Sequence, residues 1–399
     1  MTNIRLGLAL SAFLVVAPIS FAAEPAPETS ASTILGNDTK GTNWTVAPTV
    51  RSDGFVRLFA VETPYGDFQV NGHRRMNERL QELRALKALE EMSNTGVFTD
   101  AVEKAGLAPI RFGRDLVLDP VETTGNLVSG IGNMFDRAVD EVEHAGDSRD
   151  SFIESVVGIK KAMRDLAFEL KVDPYTDFTP LREGLEDVAR VMAAGDISVS
   201  AAISAIPGGA GIAVSATSRA SGLSNPIRDK SSAEIAAIVV KKLKALDVPD
   251  PTIESFVKNT SYSPGDQFAI AEALESLKAD NSAAFVQRAA LADSADVAKF
   301  HRYRAELLAK HSARLGTLKE FYVVTEFALN RDASGGLVAA FPFDGVAWTD
   351  TVDKSMSALS QELAMRGETK PPVFATTGKI TATAQAELKK RGWKLVMLD

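Results

Sequence analysis

The chain of 399 residues contains no cysteine. Disulfides, thiolate metal sites and a cysteine nucleophile are therefore excluded, and nothing in the sequence marks a redox compartment. Histidine is scarce: His73, His144, His301 and His311 are the only four. None stands in a His-Glu-x-x-His motif or another recognisable catalytic pattern. His301 and His311 fall on one predicted helix, roughly 15 Å apart along its axis at 1.5 Å rise per residue, too far to share a metal. Each of the four reads as a surface or helix-packing residue. The Gly-x-Ser-x-Gly elbow of α/β-hydrolases is missing, as are the Walker and Gly-x-Gly-x-x-Gly phosphate-binding patterns. A basic excess is lacking too. Lys and Arg number 44 against 52 Asp and Glu, a formal net charge of -8, which disfavours nucleic-acid binding because nothing offsets phosphate repulsion. None of these patterns calls for a cofactor or a metal.

What is present is globular. Hydrophobic residues make up 45% of the chain and charged residues 24%, and the length suits roughly two or three folding units. Residues 1–22 read as a secretory signal peptide. Met1 to Arg5 form a short positive start, residues 6–21 are apolar but interrupted by Pro18, and Ser20 and Ala22 are the small residues that precede a cut before Ala23. The expectation is export, to the periplasm or beyond, with no lipobox in a chain that has no cysteine. Residues 23–53, rich in Pro, Thr, Ser and Ala, read as a flexible linker.

The rest divides by pattern. Residues 55–62 and 67–71 flank Thr63-Pro64-Tyr65-Gly66 and predict a β-hairpin. A helix follows, with Met76, Leu80, Leu83, Leu86, Leu89 and Met92 on its apolar face and an Arg/Glu run expected to be solvated. Shorter helices are expected over 97–104 and 110–118. Asp119-Pro120-Val121-Glu122 is a helix start. The helix it opens, 121–142, carries Gly125, Gly130 and Gly132, and interior glycines imply that something packs against its backbone. Further amphipathic helices are predicted over 152–172, 181–194, 231–246, 264–278, 282–292 and 295–315. Ser231 and Glu234 form a capping box in that set. The last 80 or so residues change character. Strand-like runs 321–329 and 337–343 flank the turn-forming 330–336, then a helix, a strand at 372–376, a helix over 381–391 and a strand at 394–398 follow. Asn330-x-Asp332-x-Ser334-Gly335 resembles the start of a calcium loop, but Phe341 stands where its last acid belongs, so a hairpin turn is expected.

Two places carry the functional expectations. Residues 197–218 hold no charge between Asp196 and Arg219 and consist largely of Ala, Ser, Gly, Ile and Val. Pro207, Gly208 and Gly209 break the segment into two short arms, a glycine-rich helical hairpin rather than a membrane span. Ile203, Ile206, Pro207, Gly208 and Gly209, with Gly125, Gly130 and Gly132, are the expected contacts with a protein partner or a membrane surface. The second place is Thr376-Thr377-Gly378-Lys379, a strand-to-helix turn where hydroxyls, backbone N–H groups and a lysine converge and can hold an anion, with Asp344 on the same rim.

The expected fold is mainly α-helical, with an N-terminal β-hairpin and a small C-terminal α/β domain of order ββαβαβ. Its units are a signal peptide (1–22), a linker (23–53), a β-hairpin plus helical domain (54–316) and the α/β domain (317–399). The expected function is an exported, non-catalytic protein that binds a partner or a membrane surface through its Gly/Ala-rich helices. Two alternatives stand beside it: an enzyme or small-ligand binder with its site on the rim of the α/β domain, and a membrane-perturbing effector. Substrate, partner identity and oligomeric state have no sequence signature here.

Overall fold

A computed structural model describes residues 23–110, 112, 150–206, 225–325 and 327–399. The signal-peptide expectation, the 121–142 helix with Gly125, Gly130 and Gly132, most of the 110–118 segment, His144, and Pro207, Gly208 and Gly209 lie outside the described residues. About 53% of the chain is helical, with fourteen helices and several sheets among the described residues, a mixed α/β protein with a helical majority.

The N-terminal sheet comprises β1 (Glu28–Ser30), β2 (Thr45–Val46), β3 (Thr49–Ser52), β4 (Arg57–Glu62) and β5 (Phe68–Asn71), with the one-turn helix α1 (Ala31–Leu35) after β1. β4 is central: β5 pairs along it, β3 and β2 pair with its two ends, and β1 extends from β3, all antiparallel. The expected hairpin is thus β4 and β5 of a larger sheet. Residues 23–53 depart from the linker reading. They supply β1, β2 and β3 and bury Ala31, Trp44, Val46 and Val50 in the core. Strands of two to four residues are too short to show a period-2 pattern, and their pairing energy comes from β4 rather than from their own composition.

Helix α2 (His73–Ser93) lies behind this sheet and is buried on more than its apolar face: Arg75, Arg79, Gln81 and Glu82 are buried along with the leucines. The charged run expected to face solvent is therefore interior. Helix α3 (Gly96–Ala105) ends on Gly106, left-handed at φ 63°. Helices α4 (Asp150–Glu169) and α5 (Thr179–Ala194) pack together, α5 also lies against α2 and α3, and α6 (Val199–Ala205) follows α5 after a 112° bend. Residues from α1 to α6 share one apolar core. No single helix among the described residues is long and apolar enough to cross a membrane.

The second half builds on helices α7 (Asn225–Asp229), α8 (Ser232–Lys244), α9 (Asp250–Val257), α10 (Pro264–Leu277), α11 (Ser282–Ala289) and α12 (Ala295–His311). The expected Ser231–Glu234 capping box is formed in both directions, and Ser263 and Asp266 form another at the start of α10. Then come β6 (Leu318–Val324), β7 (Phe327–Asp332), β8 (Leu337–Phe341), β9 (Gly345–Val346), α13 (Asp350–Met365), β10 (Val373–Thr376), β11 (Lys379–Ile380), α14 (Ala382–Lys390) and β12 (Lys394–Met397). The main sheet runs β12-β10-β8-β7-β6. β10 is parallel to both β8 and β12, whereas β6, β7 and β8 form an antiparallel meander. The expected run 321–329 is two strands, not one, because the chain reverses after Val324, with Thr325 left-handed at φ 52° and Val324 paired to Phe327. The turn at 332–336 is held as expected: the Asp332 carboxylate accepts from the Ser334 and Gly336 N–H groups.

The sheet is sandwiched. One face (Phe321, Ala328, Val338, Ala340) joins a core with α8 to α12, which crosses the change in composition at 316/317. The other face (Leu329, Leu337, Ala339, Phe341) packs against α13 and α14.

Candidate functional site

The rim of the C-terminal sheet is occupied by its own chain. Asp344 follows β8, and its carboxylate accepts the N–H groups of Arg57 (2.8 Å) and His73 (2.9 Å). It therefore caps the start of α2, whose own N-cap residue is Gly72 and offers no side chain. Burial pushes the Asp344 carboxyl up, against the pull of those N–H groups. Thr376 is buried, and the Thr377 hydroxyl donates to the Phe343 carbonyl (3.0 Å). Gly378 lies directly on the backbone of residues 344–345: a Cβ there would stand 2.2 Å from the Asp344 carbonyl carbon, which only glycine avoids. Lys379 is exposed, in the β11 pairing with β9.

The start of α14, just beyond these residues, holds a carboxylate of the chain itself, through Thr381, Trp348 and Thr383 rather than through the expected Thr376, Thr377, Gly378 and Lys379. Thr381 caps α14, accepting from the Ala384 N–H (3.2 Å), and its hydroxyl donates to Glu24 Oε2 (2.7 Å). The same oxygen accepts from the Trp348 N–H (2.7 Å), and the Glu24 N–H donates to the Trp348 carbonyl (2.7 Å). Burial raises the Glu24 carboxyl, and the bonds from Thr381, Trp348 and Thr383 outweigh it and hold the group below its usual range. That Glu24 docks at this helix start had no local signal in the sequence.

The small-residue stretch opens as α6. Ser198 caps it, accepting from the Ala201 N–H (3.2 Å). Ala202 and Ile206 are buried, and Ile203 is half-buried. Beside α6 lies a groove of about 530 Å³. Val199, Ser200 and Ile203 form one wall, and Asp165 and Glu169 of α4 with Arg228 of α7 form the other. Arg228 is tied to Asp165 (3.0 Å) and stacks over Phe168 at 4.8 Å. Of the expected contacts, Ile203 lines the groove and Ile206 is buried beneath it; the facing wall comes from residues roughly 25 to 40 positions away in sequence.

A large buried ion network escaped the sequence reading entirely. It links α2, the loop after α4, α10 and α12. Asp177 accepts from Arg75 and Arg79; Glu78 accepts from the Tyr303 hydroxyl (2.7 Å) and meets Arg75; Asp266 holds both Lys299 (2.8 Å) and Arg302 (3.0 Å); Glu306 holds Arg302 and Arg74. With Glu82 on Arg79 (3.0 Å), five cations face five carboxylates in one connected set. Burial alone would raise Asp177 and Asp266. The charges of Arg75, Arg79 and Lys299 on the first, and of Lys299 and Arg302 on the second, reverse that and hold both far below the usual carboxylate range. Such a set balances its charges, although Glu78 Oε1, Glu82 Oε2 and the Nε and Nη1 of Arg79 are buried without hydrogen-bond partners among the described residues, and it joins the two halves of the molecule.

The opposite face of α12 is different. Arg304 is buried against the C-terminal sheet, donating from Nε to the Ala340 carbonyl (3.1 Å) and from Nη2 to the Ala328 carbonyl (2.6 Å). Its guanidinium stands 5.0 Å from the Phe341 ring centre. No carboxylate among the described residues pairs with it, and burial pushes the guanidinium below its ordinary range. One turn earlier, His301 is driven down to about 4 by burial and by Arg304. It is neutral at pH 7.

No group of three His, Asp or Glu side chains among the described residues is arranged to hold a metal ion. No family model matches this chain, nor does any curated protein or solved structure.

Proposed function

We propose that the protein is exported, non-catalytic, and binds a protein partner through α6 and the groove beside it. The observation that carries this reading is the groove itself. It sets an apolar wall (Val199, Ile203) against a charged one (Asp165, Glu169, Arg228) in about 530 Å³ of open space. That combination suits an apolar side chain flanked by a polar or basic one, the usual form of a peptide or helix anchor. The rim reading draws less support, since Asp344, Thr377 and Gly378 are committed to bonds and backbone contacts within the chain. The carboxylates of the groove favour a protein over an anionic membrane surface, and they weigh against the membrane-perturbing alternative in the same way.

Export rests on residues 1–22 and on what lies just downstream. Ala23 is exposed, and Glu24 is docked on Trp348 and Thr381. A cut before Ala23 leaves that docking intact. N-terminal sequencing of the protein recovered from its native host should read from Ala23; an uncut Met1 would overturn the export reading.

A photo-reactive residue at Ser200, in the native host, tests the groove. A discrete adduct that Ile203→Asp removes supports partner binding. Adduct yields no higher than from a site on the far surface, such as Lys354, count against it. Flotation of the mature protein with neutral and anionic vesicles tests the membrane alternative: Ile203-dependent flotation would move the assignment to a membrane surface, and dye release from the same vesicles would mark perturbation.

A further inference from the structure

The β7–β8 ladder is short for strands of this length. It pairs Asn330 with Val338 and Arg331 with Leu337, then stops, although β7 continues to Phe327 beside β6 and β8 continues to Phe341 beside β10. Continued in register, the next pair on the same face would be Ala328 and Ala340. Their two carbonyls are the ones that accept from Arg304. The sheet therefore opens at this point, and the guanidinium bridges the gap.

Three polar groups converge on the layer between α12 and this opening. Arg304 uses Nε and Nη2 on the two carbonyls, and no carboxylate among the described residues pairs with it. Asn330 lies two residues from Ala328 on the same face of β7. It is 0% exposed, and neither its side-chain oxygen nor its nitrogen has a hydrogen-bond partner among the described residues. His301, one helical turn from Arg304, has its buried Nδ1 equally without a partner. The surroundings are aromatic: Phe285 stands 5.9 Å from the His301 ring, 5.3 Å from Phe321 and 5.8 Å from the guanidinium. Phe341, beside the guanidinium, meets the Phe327 ring at 5.2 Å, and Phe327 is 36% exposed.

A buried cation without a counter-charge and a buried amide with all its bonds unmade are each unfavourable. Found in one layer, they share one remedy. We infer that the opening between β7 and β8 binds a single small monovalent anion, a halide, nitrate or short carboxylate, on the Arg304 guanidinium with the Asn330 amide as a second donor. The guanidinium supplies the charge and free N–H groups. The Asn330 NH2 directs the anion to the α12 side, and neutral His301 leaves no competing charge. The Phe285 and Phe321 rings, packed together at 5.3 Å, and the Phe341 ring, 5.0 Å from the guanidinium, limit the ligand to a few atoms. Neither the groove nor the export reading bears on this site.

The test is the melting temperature of the full mature chain at fixed ionic strength, with sodium gluconate (too large for the site) replaced stepwise by chloride, nitrate or formate. Wild type should show a rise of several degrees that saturates, the signature of one bound ligand rather than a general salt effect. Asn330→Leu keeps the volume and Arg304 but removes the second donor. It should match or exceed wild type in gluconate and lose the anion-dependent rise. Superimposed wild-type curves in chloride and gluconate would overturn the site, as would an equal rise in Asn330→Leu. If that variant does not fold, the 35Cl linewidth of the wild-type solution decides. Broadening that saturates at one site per chain and is displaced by nitrate or formate supports the site, and an unbroadened line refutes it.

Discussion

Helix α12 handles charge in opposite ways on its two faces. Toward α2 and α10 it presents Lys299, Arg302 and Glu306, and every one of these meets an opposite charge. Toward the sheet it presents His301 and Arg304, the first neutral and the second paired only with carbonyl oxygens. The same side-chain types, a turn apart on one helix, thus serve two ends. A balanced network fixes how two halves of a molecule sit together, because any other placement strands a charge. A lone buried cation fixes nothing of that kind and leaves a local field with no opposite charge to answer it among the described residues.

The contrast can be broken from either side. Asp266→Ala strands Lys299 and Arg302 together. It should cost about 3–5 kcal/mol, the penalty for an uncompensated buried charge, read from urea unfolding. A loss below 1 kcal/mol would mean that Lys299 and Arg302 find other partners once Asp266 is gone. Second is the acid limb of stability. His301 is held neutral down to about pH 4, whereas in the unfolded chain it takes up a proton near its ordinary value of 6.5. The unfolded state therefore binds the extra proton between those limits, and stability falls as pH drops from 6.5 towards 4, by up to about 3 kcal/mol. His301→Phe should flatten that part of the profile; an unchanged slope would place the titrating group elsewhere.

Arg304→Met removes two charge-assisted bonds but also relieves a buried charge. Its net cost should be about 1–2 kcal/mol, clearly less than that of Asp266→Ala. A larger loss would reverse the comparison. The smallest effect belongs to Glu306→Gln, at the more open end of the network with Arg74. About 0.5–1 kcal/mol is expected, mostly screened at high salt.

Local order was legible in the sequence, and long-range charge was not. The capping box at Ser231, the helix over 73–93 and the strand–helix–strand alternation after 337 depend on neighbours within a few residues, and they stand where patterning placed them. Asp266 shows the limit. Its role as a capping residue is local, but the charges it neutralises come from another helix, more than 30 residues on. Arg75 and Arg79 read as solvated for the same reason, since Asp177 lies about 100 residues away. Of the groove beside α6, only the Ile203 side was marked by small-residue composition, and Ile206, marked with it, is buried. The opening between β7 and β8 could not, because a missed ladder pair is a property of three strands and a helix together.

The tie through Asp344 has a consequence in time. The start of α2 receives its cap from a residue 271 positions later, and α14 receives Glu24 across 357. During synthesis, the N-terminal sheet and α2 wait for the last sixth of the chain before either contact can form. These two contacts thus form only after the C-terminal strands and helices have been made, as the last and longest loop closures of the chain.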